Sequence, residues 1–269
     1  MNAGFVGLGS MGSMLVRAFL RSGALRPENV WAANRSQQKL DALAADFGGV
    51  HAASNRKLAS ECELIFLCVK AADVSTVLSQ MDPELYPGQL LVTTASVIPL
   101  RMLEDRVPCR AAKLIPSVTQ EIGAGVTLLM YGSRVMAGDC KLLEGLVGQI
   151  SHPVVIAESQ ARPAIGLASG GPAMLAYLLQ SMVEEAVRSN PDLTLELALS
   201  LVQETAAATL RLMEEAKMTP ADVIHRVAAP GGMTEMSIAI LSRYVPQAWQ
   251  TVFRETAANE GKARESLVL

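Results

Sequence analysis

Short apolar runs alternate with helical patterns through the first half of the chain. Residues 11–21 and 37–47 carry apolar side chains at the three- and four-residue spacing of a helix with one buried face. Between and beyond them lie apolar runs bounded by Gly, Asn, Pro or charged residues, which is typical of buried strands. These runs are residues 3–6, 30–33, 64–69, 90–94 and 111–115. The alternation predicts parallel strands joined by helical crossovers, and residues 126–131 and 154–156 can extend the sheet.

The pattern changes after about residue 159, where strand-like runs give way to helices. Pro172 suits the first turn of a helix that runs to residue 188. Asn190, followed by a proline, predicts the start of a long helix ending near residue 217, and Thr219, also followed by a proline, predicts another. We therefore predict an α/β fold: a Rossmann doubly wound sheet at residues 1–159, then an all-helical dimerisation domain at residues 160–269.

An apolar stripe lies along the long predicted helix of residues 192–217. Its members, four or seven residues apart, are Leu193, Leu197, Leu201, Ala208 and Leu212. Such a stripe must be covered by another helix or by another subunit. The sequence therefore predicts a homodimer or a higher homo-oligomer.

Composition and charge exclude several classes of protein. Half of the 269 residues are hydrophobic and 18% are charged, so a sizeable core is available. The 23 Lys and Arg residues against 26 Asp and Glu residues lack the basic surplus of nucleic-acid-binding proteins. Apolar runs stay below the ~18 residues of a membrane-spanning helix, and the strand predicted directly after Met1 leaves no space for a signal peptide. We expect a cytoplasmic protein without nucleic-acid or membrane partners.

The metal-ligating residue types are dispersed along the chain. The four cysteines are Cys62, Cys68, Cys109 and Cys140. They form no CxxC pair, and the three histidines do not stand near them at ligand spacing. We therefore expect no metal site, and we expect all four cysteines to be structural thiols.

A glycine-rich turn follows the first predicted strand and opens the first predicted helix. Gly7, Gly9 and Gly12 form the pattern G-x-G-x-x-G. In a dinucleotide-binding turn the first glycine permits the tight turn, the second lets the backbone approach a diphosphate, and the third lets helix and strand pack closely. The backbone amides at Ser10 and Met11 would meet the phosphate charge at the helix start. Alternatively, the glycines merely shape a strand-to-helix turn.

The end of the second predicted strand indicates which nicotinamide cofactor would bind. An acidic residue there would hold the ribose hydroxyls of NAD(H). The chain instead has Asn34, Arg35 and Ser36. Arg35 can pair with a 2'-phosphate and Ser36 can donate a hydrogen bond to it, so NADP(H) is favoured, with NAD(H) possible. Alternatively, Arg35 is an ordinary surface arginine.

Together with four later landmarks, these motifs resemble the pyrroline-5-carboxylate reductase family over essentially the whole chain. The landmarks are Cys68-Val69-Lys70, Ile115-Pro116, Gly171-Pro172-Ala173 and Pro230-Gly231-Gly232-Met233-Thr234. The resemblance implies an NAD(P)H-dependent enzyme of proline biosynthesis. Such an enzyme reduces 1-pyrroline-5-carboxylate, a small substrate with a carboxylate, to L-proline by hydride transfer to a cyclic imine.

The resemblance also implies roles for single residues. They are Asn55, Val69 and Lys70 for the cofactor, and Gly231, Gly232, Met233 and Thr234 for the substrate. In this family pattern the amides of the Pro-Gly-Gly turn hold the substrate carboxylate. The hydroxyl of the threonine that matches Thr234 meets the substrate, which makes Thr234 the catalytic residue.

The chain departs from the family pattern near the implied site. Ser117 replaces an asparagine, Ala229 replaces a serine, and Glu235 brings a carboxylate to a position that is uncharged in the pattern. Ser117 with Val118, and residues 150–153, resemble bacterial late-competence proteins, a divergent branch of the family. Two alternatives therefore stay open: reduction of another small imine or ketone, and a cofactor-binding regulatory protein with little turnover.

Overall fold

The N-terminal part of the chain folds around one sheet. The computed structural model describes residues 1–265 and residue 267. Within them the strands are β1 (Ala3–Val6), β2 (Val30–Ala33), β3 (His51–Ala52), β4 (Leu64–Leu67), β5 (Leu90–Thr93), β6 (Arg110–Ile115), β7 (Val126–Tyr131) and β8 (His152–Val155). They are arranged in the order β3-β2-β1-β4-β5-β6-β7-β8. The first six have the order of a dinucleotide-binding doubly wound sheet.

The helices follow the strands as the crossover pattern requires. They are α1 (Ser10–Arg21), α2 (Gln37–Asp46), α3 (Asn55–Glu61), α4 (Ala71–Met81), α5 (Leu100–Arg106), α6 (Ala137–Val147), α7 (Ala161–Ala168), α8 (Gly171–Ser189), α9 (Leu195–Glu215), α10 (Pro220–Val227) and α11 (Met233–Glu265). The predicted fold, a doubly wound sheet followed by helices, is confirmed.

One strand pair breaks the parallel pattern. β6 and β7 pair antiparallel, whereas the other neighbours in the sheet are parallel. Only a short loop with a 3₁₀ turn (Val118–Ile122) joins β6 to β7. A parallel crossover needs a dozen residues or more, so this loop is too short to carry the chain back to the opposite edge.

Both faces of the sheet are buried, which explains the continuous apolar runs. On one face Phe5 of β1 stacks on Phe66 of β4 with ring centroids 4.7 Å apart, and Phe19 of α1 packs beside Phe66 at 5.5 Å. On the other face Ile65 and Leu67 pack with residues of α3 and α4. Parallel strands buried on both sides form a rigid base at whose carboxyl edge loops can be held in place.

The described chain forms two compact units. One comprises Met1–Pro172 together with the segment from Ala257 onward, and the other comprises Ala173–Thr256. In the first unit the end of α11 is tied to α7, because Glu260, which is 7% exposed, pairs with Arg162 at 3.1 Å and with Arg264 at 2.6 Å. The predicted division at residue 159 stays a prediction, since compactness does not define which part of a chain folds alone.

The helical unit confirms one predicted helix start and corrects another. Thr219 caps α10: its Oγ1 accepts a hydrogen bond from the amide of Asp222, whose carboxylate accepts one from the Thr219 amide. The start predicted at Asn190 is wrong, because α9 begins only at Leu195 and is capped by Thr194. The Asn190 side chain instead accepts a hydrogen bond from the amide of Asp192, as in an Asx turn.

The helical unit exposes many large apolar side chains. Those at least 50% exposed are Leu175, Tyr177, Met182, Leu195, Leu197, Leu201, Leu210, Val227, Met233, Met236, Leu241 and Tyr244. An exposed apolar surface of this extent is typical of a surface that another protein covers. In the described part of the chain, the helices are too short or too polar to cross a lipid bilayer.

Candidate functional site

The glycine-rich turn joins β1 to α1 at the carboxyl edge of the sheet. Gly7 has φ +92°, a left-handed conformation that favours glycine, and a Cβ there would lie 2.7 Å from the carbonyl oxygen of Cys68. A Cβ on Gly12 would overlap the carbonyl oxygen of Gly7. These two glycines therefore let the turn and the helix pack against the ends of β1 and β4.

Gly9 differs from both because its neighbourhood is open. Apart from Gly9 and its two neighbours in the chain, no atom of the described residues lies within 4 Å of the Cβ that a larger residue would have there. Gly9 is the N-cap of α1, and the exposed residues Ser10 and Met11 form its first turn. Backbone amides at a helix start attract anions. This open cradle with helix-start amides fits the diphosphate of a dinucleotide.

The segment after β2 borders this turn. The Leu8 amide donates a hydrogen bond to Oδ1 of Asn34 at 2.9 Å, and Nδ2 of Asn34 donates to the carbonyl of Ser36 at 3.1 Å. Asn34 thereby ties the glycine-rich turn to the end of β2. The side chain of Arg35 is 90% exposed, and Ser36 is also exposed, so both can meet a ligand at this edge.

Two charged residues that the sequence analysis did not select also border the turn. Nζ of Lys39, in the first turn of α2, donates a hydrogen bond to the carbonyl of Leu8 at 2.9 Å. Oδ2 of Asp73, in the first turn of α4, lies 3.3 Å from Nη2 of Arg35. The sequence could have indicated Lys39, because the helix predicted after β2 begins at the same edge of the sheet as the glycine-rich turn. The sequence could not have indicated Asp73, because its proximity to Arg35 depends on the order of the strands in the sheet.

The residues after β4 lie against the glycine-rich turn. A Cβ on Gly7 would lie 2.7 Å from Cγ1 of Val69, and the exposed Lys70 is the N-cap of α4. Burial raises the pKa of the neighbouring Cys68 thiol to about 12, so this thiol stays uncharged beside the turn. The predicted cofactor residue Asn55 begins α3, and its Nδ2 donates a hydrogen bond to Oε1 of Gln80 at 2.6 Å.

An ion pair between a buried lysine and a partly exposed glutamate holds the loop that follows β5. Nζ of Lys113, whose side chain is fully buried, lies 2.7 Å from Oε1 of Glu158 and donates to the carbonyl of Ser96 at 3.0 Å. The same carboxylate oxygen accepts a hydrogen bond from the Leu100 amide at 3.0 Å. Burial lowers the pKa of Lys113, and the Glu158 carboxylate opposes that change. Residues 96–100 are thus fixed at the carboxyl edge of the sheet.

In the helical unit the Pro-Gly-Gly turn opens α11. Gly231 has φ +75°, and the Gly232 amide donates to the carbonyl of Ala229 at 2.9 Å. Met233, 75% exposed, and the exposed Thr234 form the first turn of the helix. The predicted substrate residues therefore share one exposed turn at a helix start.

Two departures from the family pattern have structural consequences. Oε2 of Glu235 accepts a hydrogen bond from the Gly231 amide at 2.7 Å, so the carboxylate of this chain itself engages the Pro-Gly-Gly turn. Ser117, at the end of β6, is buried, and its Oγ accepts a hydrogen bond from Thr119 at 3.1 Å. Its side chain therefore packs within the loop that leads to β7.

Comparisons with known proteins decide the family. Residues 2–96 match the family described as NADP oxidoreductase coenzyme F420-dependent, and residues 158–263 match pyrroline-5-carboxylate reductase dimerisation. The chain is 31% identical to ComE operon protein 4 of Bacillus subtilis over 95% of this chain and 94% of that protein. It is 28% identical to pyrroline-5-carboxylate reductase 3 of the same organism, over 94% of this chain and 93% of that protein.

The chain belongs to the pyrroline-5-carboxylate reductase family. The resemblance inferred from the sequence is thus confirmed, and the protein falls among NAD(P)-dependent oxidoreductases. The fold agrees: a Plasmodium falciparum pyrroline carboxylate reductase, solved with NADP bound, superposes with a TM-score of 0.84 at 21% identity, covering 98% of this chain and 97% of that one. In this chain the glycine-rich turn lies within the matched residues 2–96, and the Pro-Gly-Gly turn lies within the matched residues 158–263.

Proposed function

We propose that this protein reduces 1-pyrroline-5-carboxylate to L-proline with NADPH, as a reductase of proline biosynthesis. The observation that carries the proposal is the open diphosphate cradle at Gly9 with a cation, Arg35, at the end of β2. It occurs in a chain whose relatives include named pyrroline-5-carboxylate reductases. NADH is the alternative cofactor.

The Rossmann unit would hold the cofactor through its own backbone and cations. NADPH, when bound, supplies the hydride for the reduction. The amides of Ser10, Met11 and Gly12 would hold the diphosphate at the start of α1. Arg35 and Ser36 would bind the 2'-phosphate, which a carboxylate at the end of β2 would repel. Val69 and Lys70 would line the same edge of the sheet.

The helical unit would bind the substrate carboxylate at the start of α11. The amides of Gly231 and Gly232 would donate to that carboxylate, and the hydroxyl of Thr234 would orient the ring. A cyclic imine takes up a proton in water and becomes an iminium ion, which accepts hydride readily. The protein then needs no strong acid, and orientation can supply about 7–11 kcal/mol of barrier reduction in favourable systems.

We further propose that the protein is a homo-oligomer, at least a dimer, assembled through the exposed apolar side chains of its helical unit. The match of residues 158–263 to a dimerisation family supports this assembly. Leu197 and Leu201 are 51% and 54% exposed in the single chain. A second copy would remove this apolar surface from water.

The test of the proposed function is NADPH oxidation in the presence of 1-pyrroline-5-carboxylate, followed at the nicotinamide absorbance band. Thr234→Ala should lower kcat/KM at least about tenfold, the scale expected when a hydrogen bond that orients the substrate is lost. Thr251→Ala is the matched control on the same helix, because its hydroxyl donates only to the Gln247 carbonyl in α11. NADPH binding without any turnover would contradict the reductase function.

One observation favours a second candidate, a reductase of small imines that lack a carboxylate. Glu235 engages the Gly231 amide, and its charge would oppose an anionic substrate at the same turn. The two candidates separate when 1-pyrroline-5-carboxylate is compared with 1-pyrroline. If the second candidate holds, wild type prefers 1-pyrroline, and Glu235→Gln shifts the preference toward the carboxylate. An unchanged ratio of kcat/KM values in Glu235→Gln would exclude this candidate.

A further inference from the structure

An exposed ion pair lies across the carboxyl end of β1. Nη2 of Arg35 and Oδ2 of Asp73 are 3.3 Å apart. Arg35 follows β2, while Asp73 belongs to α4, which follows β4. Since β1 lies between these two strands and neighbouring strands are about 4.8 Å apart, the pair bridges about 10 Å of the sheet edge. It therefore spans the strand from which the glycine-rich turn leaves.

This placement makes Asp73 a competitor for the cation that a 2'-phosphate needs. A phosphate monoester carries about 1.5 to 2 negative charges at neutral pH. Arg35 is 90% exposed and meets Asp73 through one guanidinium nitrogen, so its side chain can turn toward a phosphate. Asp73, 35% exposed, stays in the first turn of α4, where a carboxylate is favoured by the helix dipole.

The binding of NADPH and the binding of NADH would affect the pair of Arg35 and Asp73 differently. NADPH must draw Arg35 away from Asp73 and place its 2'-phosphate in the field of that carboxylate. NADH has no 2'-phosphate, so Arg35 and Asp73 can stay paired when it binds. Lys39, whose Nζ donates to the Leu8 carbonyl, is a second cation near the turn that would attract the phosphate of NADPH.

We propose that Asp73 sets the cofactor selectivity of this chain, by pairing with Arg35 in the nucleotide-free protein and by repelling the 2'-phosphate. The proposal rests on the NADPH binding proposed above. Its consequence is that the chain prefers NADPH over NADH less strongly than Arg35 alone would allow. Asp73 is thus a specificity-determining residue that acts through charge.

Calorimetric titration of the full chain with NADPH and with NADH, without substrate, tests this role. Asp73→Asn keeps the size of the side chain and removes its charge. The dissociation constant for NADPH should fall about threefold to tenfold, the range expected when an exposed charge pair and a nearby like charge are removed. The dissociation constant for NADH should stay the same.

Glu61→Gln is the matched control. Glu61 also belongs to an exposed ion pair, with Lys57, and its side chain is 33% exposed, close to the 35% of Asp73. Its backbone carbonyl accepts a hydrogen bond from Asn2, which precedes β1. Glu61 therefore lies at the opposite end of the sheet, and its substitution should leave both dissociation constants unchanged.

A double variant separates the two parts of the proposal. In an Arg35→Ala background the Asp73→Asn substitution should improve NADPH binding less, because the ion pair no longer has to open. An equal change for both nucleotides in Asp73→Asn, or no change for NADPH, would overturn the inference while leaving NADPH binding intact. If wild type binds neither nucleotide, the proposed cofactor role fails and this inference fails with it.

Discussion

At the scale of single residues, the three glycines of the glycine-rich turn have separable roles. Gly9 faces open space, whereas a Cβ on Gly12 would overlap the Gly7 carbonyl. Gly9→Ala should therefore leave the melting temperature nearly unchanged and weaken NADPH binding at least about tenfold, since its methyl group fills the diphosphate cradle. Gly12→Ala should lower the melting temperature itself, because backbone must move to admit the Cβ.

Thermal unfolding and calorimetry of the two glycine variants check this prediction together. Gly23→Ala is not a suitable control, because Gly23 has φ +75°. Gly138→Ala is better: Gly138 lies in the first turn of α6, and apart from its chain neighbours and the backbone of its own helix no described atom lies within 4 Å of its added Cβ. If Gly9→Ala bound NADPH as wild type does, the cradle would not be the diphosphate site.

Arg35 gives the second prediction at this scale. Loss of the guanidinium should weaken the binding of NADPH much more than the binding of NADH, because only NADPH carries the 2'-phosphate that would pair with Arg35. A charge-assisted hydrogen bond contributes about 1.5–3 kcal/mol, so Arg35→Ala should raise the NADPH dissociation constant about tenfold to a hundredfold. Fluorescence titration of the reduced nicotinamide measures both constants. Equal losses for NADPH and NADH would remove Arg35 from the 2'-phosphate role.

At the scale of elements, local signals predicted the strands better than the helix starts. β1 and β2 have the predicted bounds, because apolar runs buried on both faces end where burial ends. β3 has two exposed residues and no apolar run, so the sequence carries no signal that predicts it. Asn190 has the same cap-then-proline signal as Thr219, and only the contacts of the folded chain distinguish an Asx turn from a helix cap.

The ion pair between Lys113 and Glu158 predicts a large effect on stability. Glu158→Leu removes the carboxylate that the Lys113 ammonium contacts, and the Lys113 side chain is fully buried whereas that of Glu158 is 31% exposed. Loss of the partner of a buried charge costs about 3–5 kcal/mol, because the Lys113 charge then stays buried without compensation. Denaturant unfolding should therefore show a decrease of that size in the free energy of unfolding.

The double variant Lys113→Met, Glu158→Leu checks the cause. Removing both charges should restore part of the lost stability, because no uncompensated charge remains. Full recovery is not expected, since the Leu100 amide loses its acceptor. A double variant less stable than Glu158→Leu would show that Lys113 contributes mainly through the Ser96 carbonyl and not through the carboxylate.

At the scale of the whole molecule, the sequence indicated the type of site but not every residue at its edge. The spacing of the glycines within one short motif was enough to predict the turn formed by Gly7, Gly9 and Gly12. The ion pairs of Asp73 with Arg35 and of Lys113 with Glu158 could not be predicted in this way, because only the tertiary fold brings the partners of each pair together. The contacts of such charged residues depend on tertiary structure, which local sequence does not encode.

The exposed leucines of α9 predict that the molecule is an oligomer in solution. Leu197, Leu201 and Leu212 are 51%, 54% and 42% exposed in the single chain, a stripe that water would meet unless another copy covers it. Sedimentation at micromolar concentration should therefore give at least a dimer. Leu201→Glu should raise the dimer dissociation constant at least about tenfold, since assembly would bury an unpaired charge.

Gln203→Glu is the control for that substitution. It adds the same charge two residues further along α9, which places it on a different face of the helix. If the leucine stripe is the covered face, Gln203→Glu should sediment as wild type does while Leu201→Glu dissociates. A compact wild-type monomer would contradict assembly through the helical unit, and dissociation of both variants would show that the interface is not confined to the stripe.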